Sequence, residues 1–334
     1  MTTEEKSGNQ PIGLDIGTSR IVVARPADNR HFECDAQLNA FITLPYSRLT
    51  ETLLKQENVF HEVSDGEIVV AGNDAEKFAE VFHVETRRPM QGGVLNPHEP
   101  HSLSVVRRIV GRLAGRASVE GQKAFFSVPA AAPECEAMLA YHESSCRQIL
   151  EELGYAATPI GEGLAVVFGE MSASNYTGIG ISFGSGLVNV CLAVLSLPVV
   201  SFSVARAGDF IDSHAAMATG DLATRIRVQK ERSFRLNGFS SDRVQNALTV
   251  YYEEVVRTLV EALRENLSSA RRLPKLDTSV PMVISGGTAM PKGFLETFRR
   301  ILGSHELPVK ISDIRMAPEP LNSTARGALM AALC

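Results

Sequence analysis

The sequence predicts a duplicated α/β fold in two domains, and three observations carry that expectation. Ile12-Gly13-Leu14-Asp15-Ile16-Gly17-Thr18-Ser19 recurs half a chain later as Ile179-Gly180-Ile181-Ser182-Phe183-Gly184-Ser185-Gly186. Each copy turns on small residues and runs apolar again, through Ile21-Val22-Val23-Ala24 and Val188-Asn189-Val190-Cys191, which reads as a tight β-hairpin. Strand-like runs followed by helix-like runs then occur twice. At 334 residues the chain also exceeds one comfortable core, which again favours two domains.

Taken in order, Met1 to Pro11 is polar and acidic and reads as a flexible tail, neither a signal peptide nor a basic anchor. After the first hairpin, residues 38–43 read as a third strand. Residues 45–75 read as a small inserted lobe holding the strand Glu67–Ala71, and residues 75–83 as a short helix. Arg88-Pro89-Met90-Gln91-Gly92-Gly93-Val94 is a loop with backbone freedom. Residues 102–117 are amphipathic at helical spacing, with Leu103, Val106, Ile109, Val110 and Leu113 opposite Arg107, Arg108, Arg112 and Arg116. The arginine side reads as a solvated face or, alternatively, a partner surface. Residues 124–128 are a buried-type strand ended by Pro129, and residues 134–153 a helix stopped by Gly154. Gly161–Gly169 is a small-residue helix leading into the second hairpin. Then follow a strand at 199–204, helices at 209–231 and 243–272, and a strand at 282–285 running into Gly286-Gly287. A helix at 291–302, a short strand Val309–Ile311 and a closing helix at 322–333 complete the chain. The expected division is a first domain over 12–160, carrying the insert and closed by the segment 321–334, and a second over 161–320.

Composition narrows the function. A net charge of −5 with no basic stripe points away from nucleic acid, and no apolar run is long enough for a bilayer. The five cysteines are odd in number with no C-x-x-C pair, which reads as reduced thiols in a cytoplasmic protein. His98 and His101 lack partner ligands at helical spacing, which argues against a metal site there. The hairpin tips are more informative. Glycine lets a backbone approach a ligand closely, and hydroxyls beside free N–H groups suit phosphate oxygens. Two facing tips of this kind would clamp a polyphosphate.

In motif order, from Ile12 to Leu333, the chain resembles the actin, sugar-kinase and heat-shock-chaperone ATPase superfamily, and within it the prokaryotic actins of the MreB and MamK type. Ile12–Ser19 and residues 179–190 resemble the two phosphate loops, and Ile284–Gly293 the adenosine loop. Gly161-Glu162-Gly163-Leu164-Ala165 and Ala325-Arg326-Gly327-Ala328 resemble the two connecting helices, with Gly163 where the family usually has Pro. The resemblance implies an actin-like, ribonuclease-H-like ATPase fold with an interdomain cleft for ATP or ADP and Mg²⁺. It implies that Asp15 holds the Mg²⁺ shell through water, the alternative being a hairpin Asp that bonds its own turn. Gly17, Thr18, Ser19, Gly184, Ser185 and Gly186 would face phosphate. Gly286, Gly287, Thr288 and Met290 would face adenosine, or make an ordinary strand-to-helix turn. Lys230 and Glu231 would flank adenine, or be a surface pair. Gly208-Asp209-Phe210-Ile211-Asp212 resembles a family segment that opens a helix, and its aspartates could equally cap that helix.

The departures matter. Ser182 stands where most relatives have an Asp that helps hold Mg²⁺ and water, and Val188-Asn189 where they often carry Thr-Asp or Thr-His. Slow hydrolysis, or nucleotide binding without efficient turnover, is the expectation, and three routes stay open: Asp15 carries the metal alone, another carboxylate compensates, or activity is lost. By its distance from Val128-Pro129, Glu136 is the expected water-orienting residue, with Glu143 and His142 as alternatives. The implied function is a self-associating, nucleotide-dependent cytoskeletal filament protein in the cytoplasm, with no membrane anchor of its own. A non-polymerising nucleotide-binding scaffold, a chaperone-like switch and a small-molecule kinase are the other readings.

Overall fold

Strands β1 (Ile12–Ile16) and β2 (Arg20–Pro26) form the first hairpin, with Asp15 opposite Val22. A computed structural model describes residues 10–27, 31–131, 138–270 and 278–334, together with the backbone alone of residues 136 and 137. Of the expected tail, residues 1–9 lie outside the described residues, and the Gln10 carbonyl accepts from Gln122 Nε2 at 2.7 Å.

The third strand differs from the expected 38–43. That stretch straddles β3 (Phe32–Leu38) and β4 (Phe41–Pro45), which belong to different sheets. The bend between them is set by buried Asn39. Its N–H donates to the Ser19 carbonyl at 2.9 Å and its Nδ2 to the Gly17 carbonyl at 2.9 Å. Strand β4 opens a small lobe completed by α1 (Arg48–Gln56), β5 (His61–Ser64), β6 (Glu67–Ala71) and α2 (Asn73–Phe82). Its own core of Ile42, Leu54, Ile68 and Phe78 explains why these elements fold together. The Arg88–Val94 loop contains a minimal hairpin, β7 (Met90–Gln91) and β8 (Val94–Leu95).

Helix α3 (Ser102–Ala114) stops short of the expected 117 because Gly115 takes φ +68. Strand β9 (Gln122–Val128) and α4 (Glu136–Glu152) follow, residues 134 and 135 of the expected helix lying outside the described residues. Strand β10 (Tyr155–Gly161), which the sequence reading lacked, pairs in parallel with β9 and feeds directly into α5 (Glu162–Glu170).

The second half repeats the plan. It runs β11 (Gly178–Phe183), β12 (Val188–Val194), β13 (Leu197–Val204), α6 (Gly208–Thr219), α7 (Ala223–Ser233), α8 (Arg243–Ser269), β14 (Val280–Ser285), α9 (Phe294–Leu302), β15 (Ile311–Met316) and α10 (Ser323–Leu333). The expected helix 209–231 is two helices. Gly220 at φ +72 ends α6 and donates to the Ala216 carbonyl, turning the chain before α7. Residues 271–272 of the expected long helix lie outside the described residues. Helix α9 begins at 294 rather than 291, since Gly293 holds φ +92. The last strand lies at 311–316 rather than 309–311, where it pairs with β14.

The sheets run β10-β9-β1-β2-β3 and β13-β12-β11-β14-β15. With β11 matched to β1, β12 to β2, β13 to β3, β14 to β9 and β15 to β10, the two orders are one topology. Each sheet carries a helical layer over its own core. Val106, Ile109, Val110 and Ile149 cover the first, and Leu248, Tyr252, Val255, Leu259 and Leu263 the second. Each fully buried Leu or Val contributes about 1.5–3 kcal/mol. Helices α5 and α10 cross between the sheets, α5 packed on β11 and α10 on β1. Their approach requires glycine, because a Cβ at Gly327 would run into the Ala165 carbonyl.

Candidate functional site

Both hairpin tips close the same way. The Gly17 N–H donates to the Arg20 carbonyl and the Gly184 N–H to the Leu187 carbonyl, each at 3.0 Å. The tips face each other across a cavity of about 680 Å³. Its walls include Asp15, Gly17, Thr18 and Ser19 from one half, and Gly184, Ser185 and Gly186 from the other. The approach is tight: a Cβ at Gly186 would sit 2.5 Å from the Gly93 nitrogen and 2.6 Å from Thr18 Oγ1. Thr18 is buried and its hydroxyl accepts from the Gly93 N–H at 3.1 Å, so it fixes the loop and keeps its own proton to donate. Ser185 Oγ is buried and has no hydrogen-bond partner among the described residues. A buried hydroxyl in that state suits an incoming oxygen acceptor.

The cavity floor carries two carboxylates. Asp15 does not bond its own turn. It accepts from Ser127 Oγ at 2.8 Å, and that Oγ accepts from the Ile16 N–H at 3.0 Å. Desolvation on the cleft floor pushes Asp15 up from 3.8 to about 6, against the lowering effect of the Ser127 hydrogen bond. Glu162, the first residue of α5, comes from the other half. Ser182 Oγ donates to its Oε2 at 3.2 Å. Burial first, and then the Asp15 charge, push Glu162 up from 4.5 to about 8. These environments favour a neutral Glu162 and a largely ionised Asp15 at neutral pH. Sequence reasoning did not place Glu162 in the site, although it had noted the Gly161–Ala165 segment. Glu136 is the first residue of α4, and its side chain lies outside the described residues. Of the alternatives, His142 is fully buried, and burial pushes it down to about 4. Glu143 pairs with Arg147 at 2.8 Å. Asn189 tethers the two halves, its Oδ1 accepting from the Ala130 N–H at 2.9 Å.

At the far end, β14 runs into Gly286, whose φ of +95 and contact with the Phe183 backbone exclude any side chain. Gly287, Thr288 and Met290 line the cavity there, with Met290 51% exposed. The Thr288 hydroxyl is committed, donating to the Gly184 carbonyl at 2.7 Å. Lys230 and Glu231 also line the cavity, but they do not form a pair with each other. Lys230 is buried against Asp212 at 2.8 Å and reaches the Gly208 carbonyl at 3.3 Å. Asp209 instead meets Arg88 of the first half at 2.6 Å, and no side chain caps α6. Arg227 of α7 meets Glu76 of α2 at 2.7 Å, a second ion pair across the halves. Asp212 Oδ1 and the Tyr252 hydroxyl are buried at this end without partners among the described residues.

The donor set fits magnesium and a nucleotide. Carboxylate and hydroxyl oxygens are the hard ligands Mg²⁺ takes, and among the described residues orphaned polar atoms stand both at the hairpin tips, Ser185 Oγ, and at the far end, Asp212 Oδ1 and the Tyr252 hydroxyl. Cys34, Cys146, Cys191 and Cys334 are free thiols, and Cys135 lies outside the described residues. No helix among the described residues is long and apolar enough to cross a membrane.

Two sheets of one topology, joined through crossed helices beneath a glycine-tipped cleft, define a two-domain protein of actin-like fold. The solved structures agree. The chain aligns with the MamK double helical filament at 19% identity and TM-score 0.74, covering 97% of this chain and 98% of that one. It aligns with MreB5 of Spiroplasma citri bound to ADP at 14% identity and TM-score 0.65, covering 95% and 94%. It aligns with the ethanolamine utilization protein EutJ of Carboxydothermus hydrogenoformans at 18% identity and TM-score 0.55, covering 96% and 89%. No curated protein sequence matches. The Volactin family model matches residues 11–332, and the chain belongs to that family.

Proposed function

We propose that this chain is an actin-like subunit that binds Mg-ATP and Mg-ADP in the interdomain cleft, assembles with copies of itself into filaments, and hydrolyses ATP slowly. The observation that carries the reading is the pair of identically closed glycine tips, Gly17 and Gly184, facing one another across the cavity. The filament of MamK and the ADP-bound state of MreB5 supply the analogy for assembly and nucleotide. The cysteine usage suits a cytoplasmic setting.

Each residue has a distinct task in this reading. The backbone N–H groups and hydroxyls of both tips hold phosphate oxygens. Bound Mg²⁺ would supply charge neutralisation at the terminal phosphates, held through Asp15 with Ser182 as a neutral neighbour. Glu162 orients the attacking water and takes its proton once ionised, and a cation nearby favours that ionised form. Glu136 remains the candidate that the sequence motif supplies. Ser182 leaves one carboxylate fewer than the usual set, which accounts for slow turnover. Loss of the terminal phosphate removes a link between the halves and shifts the open–closed balance.

Calorimetry with ATP and ADP in Mg²⁺, and electron microscopy with and without ATP, test the reading. Binding and ATP-dependent filaments are expected, and Gly287→Trp should abolish binding by filling the adenosine end. Failure of the wild-type protein to bind any purine nucleotide overturns it.

A further inference from the structure

We propose that Arg20 is a polyphosphate-binding residue, one that lets this chain hold a nucleoside di- or triphosphate without Mg²⁺. The inference rests on the nucleotide-binding reading above and adds a residue that no motif supplied.

Strand register places the side chain. Arg20 is opposite Leu38, Val22 opposite Ala36, and Ala24 opposite Cys34. Side chains alternate along a strand, so Arg20, Val22 and Ala24 share one face. Val22 and Ala24 pack on Ala325 and Leu329 of α10, and the same face carries Asp15 opposite Val22. Arg20 is the end of that row, immediately after the tip, and it lines the cavity with Leu38.

Its surroundings leave it unpaired. Among the described residues the Arg20 side chain makes no hydrogen bond or ion pair, although it is half-buried. Two other arginines of the cleft are engaged, Arg88 on Asp209 at 2.6 Å and Arg227 on Glu76 at 2.7 Å, while Arg232 and Arg235, which also line it, are exposed to solvent rather than half-buried beside a hairpin tip. A guanidinium has five N–H donors and no acceptor, and its planar fork matches phosphate oxygens.

The internal repeat acts as a control. The equivalent of Arg20 in the second hairpin is Leu187, whose carbonyl closes that tip as the Arg20 carbonyl closes the first. Leu187 packs against Gly93. The hairpin therefore tolerates an apolar side chain at this position, and its geometry does not require a cation. At the carboxylate position the exchange runs the other way, with Asp15 in one half and Ser182 in the other. Relative to two identical hairpins carrying aspartate and leucine, the site has lost a negative charge and gained a positive one. Both changes favour a bare polyphosphate and lessen its need for a divalent counter-charge.

The test is calorimetry of adenosine, AMP, ADP and ATP with wild-type, Arg20→Leu and Arg20→Lys proteins, in Mg²⁺ and in EDTA. Wild type should keep ADP affinity in EDTA within about tenfold of its Mg²⁺ value. Arg20→Leu should lose on the order of 10–100-fold for ADP in EDTA, the range of a charge-assisted hydrogen bond, with adenosine affinity unchanged. Arg20→Lys should fall between them. Circular dichroism checks folding, and Arg20→Gln replaces the leucine variant if that one does not fold. Equal ADP binding by wild type and Arg20→Leu in EDTA overturns the inference while leaving the nucleotide-binding reading intact. So does an equal loss of adenosine, which would mark a structural defect. A wild-type protein that binds no nucleotide overturns both.

Discussion

Replacing Glu162 with Gln should stabilise the empty protein at pH 8 and leave it nearly unchanged at pH 4. In the unfolded chain this carboxyl releases its proton near 4.5, and in the fold it holds it to about 8. Between those values the folded state binds a proton that the unfolded state does not. The stability contribution is therefore complete below pH 4.5 and is lost as pH rises through 8. One pKa unit corresponds to about 1.36 kcal/mol, so the whole window is worth on the order of 5 kcal/mol. Gln keeps an acceptor for Ser182 Oγ and carries no charge at any pH, so it removes Glu162's share of the slope without emptying the space, leaving the smaller share of Asp15. Urea unfolding without nucleotide or Mg²⁺, at pH 4.5, 6 and 8, reads the effect. At about 1–3 kcal/mol per molar urea, the midpoints should separate by about 1–2 M or more at pH 8. If the wild-type and variant midpoints stay parallel from pH 5 to 8, the buried Asp15–Glu162 arrangement is wrong. In a nucleotide-loaded protein the same substitution should slow phosphate release by about a hundredfold or more.

Three further substitutions probe other parts of the design. Ser182→Asp puts a third carboxylate beside Asp15 and Glu162. It should make thermal stability depend on Mg²⁺ and speed phosphate release by about tenfold or more; an unchanged rate in a folded, ATP-binding variant shows that this position does not limit turnover. Gly327→Ala should lower stability by about 1–3 kcal/mol through collision with the Ala165 carbonyl. In contrast, Gly111→Ala, with open space around it in α3, should be neutral or stabilising; equal melting of the two refutes the helix-crossing argument. Removing both ion pairs across the halves, with Glu76→Ala and Asp209→Ala, should speed release of a fluorescent ADP several-fold, since each partly exposed pair contributes about 0.2–1 kcal/mol. An unaltered release rate in stopped flow would show that these pairs do not help hold the cleft closed.

The parts of the molecule that were legible in sequence are those where local chemistry leaves no substitute. The two hairpin tips could be read because each closes on a glycine N–H three residues before its acceptor, and small residues mark the spot. Strand β3 was legible in principle: Phe32, Cys34 and Ala36 alternate inward against α10, while Glu33, Asp35 and Gln37 point away. Its low overall hydropathy hid it, and the buried Asn39 bend that ends it depends on carbonyls of the first hairpin tip. Strand β10 was hidden by Pro159 near its end, tolerable because β10 is the edge of its sheet. Gly220 did carry the signal for the α6–α7 break, but the surrounding polar pattern continued as if one helix ran through. Glu162 was the least legible. In sequence it is an acidic residue in the first turn of a helix, a common arrangement with its own explanation. Its proximity to Ser182 and Asp15 exists only once α5 is seated beneath both sheets.

The repeat itself separates scaffold from chemistry. Features that match across the halves are structural: the tip glycines, the sheet order and the glycine-mediated seats of α5 and α10. Features that differ cluster on the cleft. Asp15 faces Ser182, Val22 matches Asn189, and Arg20 matches Leu187. The serines that follow the same logic on β9 and β14 have also diverged. Ser127 holds the Asp15 carboxylate, whereas Ser285 donates to the Pro320 carbonyl and leaves Ser182 to Glu162. One half thus presents a fixed carboxylate and a free cation. The other presents the neutral donors Ser182 and Asn189 and a carboxylate, Glu162, that burial and the Asp15 charge push toward its protonated form. Under the proposed function, so asymmetric a floor on a symmetric fold matches an asymmetric ligand, a nucleotide with polyphosphate at one end and a base at the other. Each half then contributes what its partner lacks, and neither half alone assembles the site.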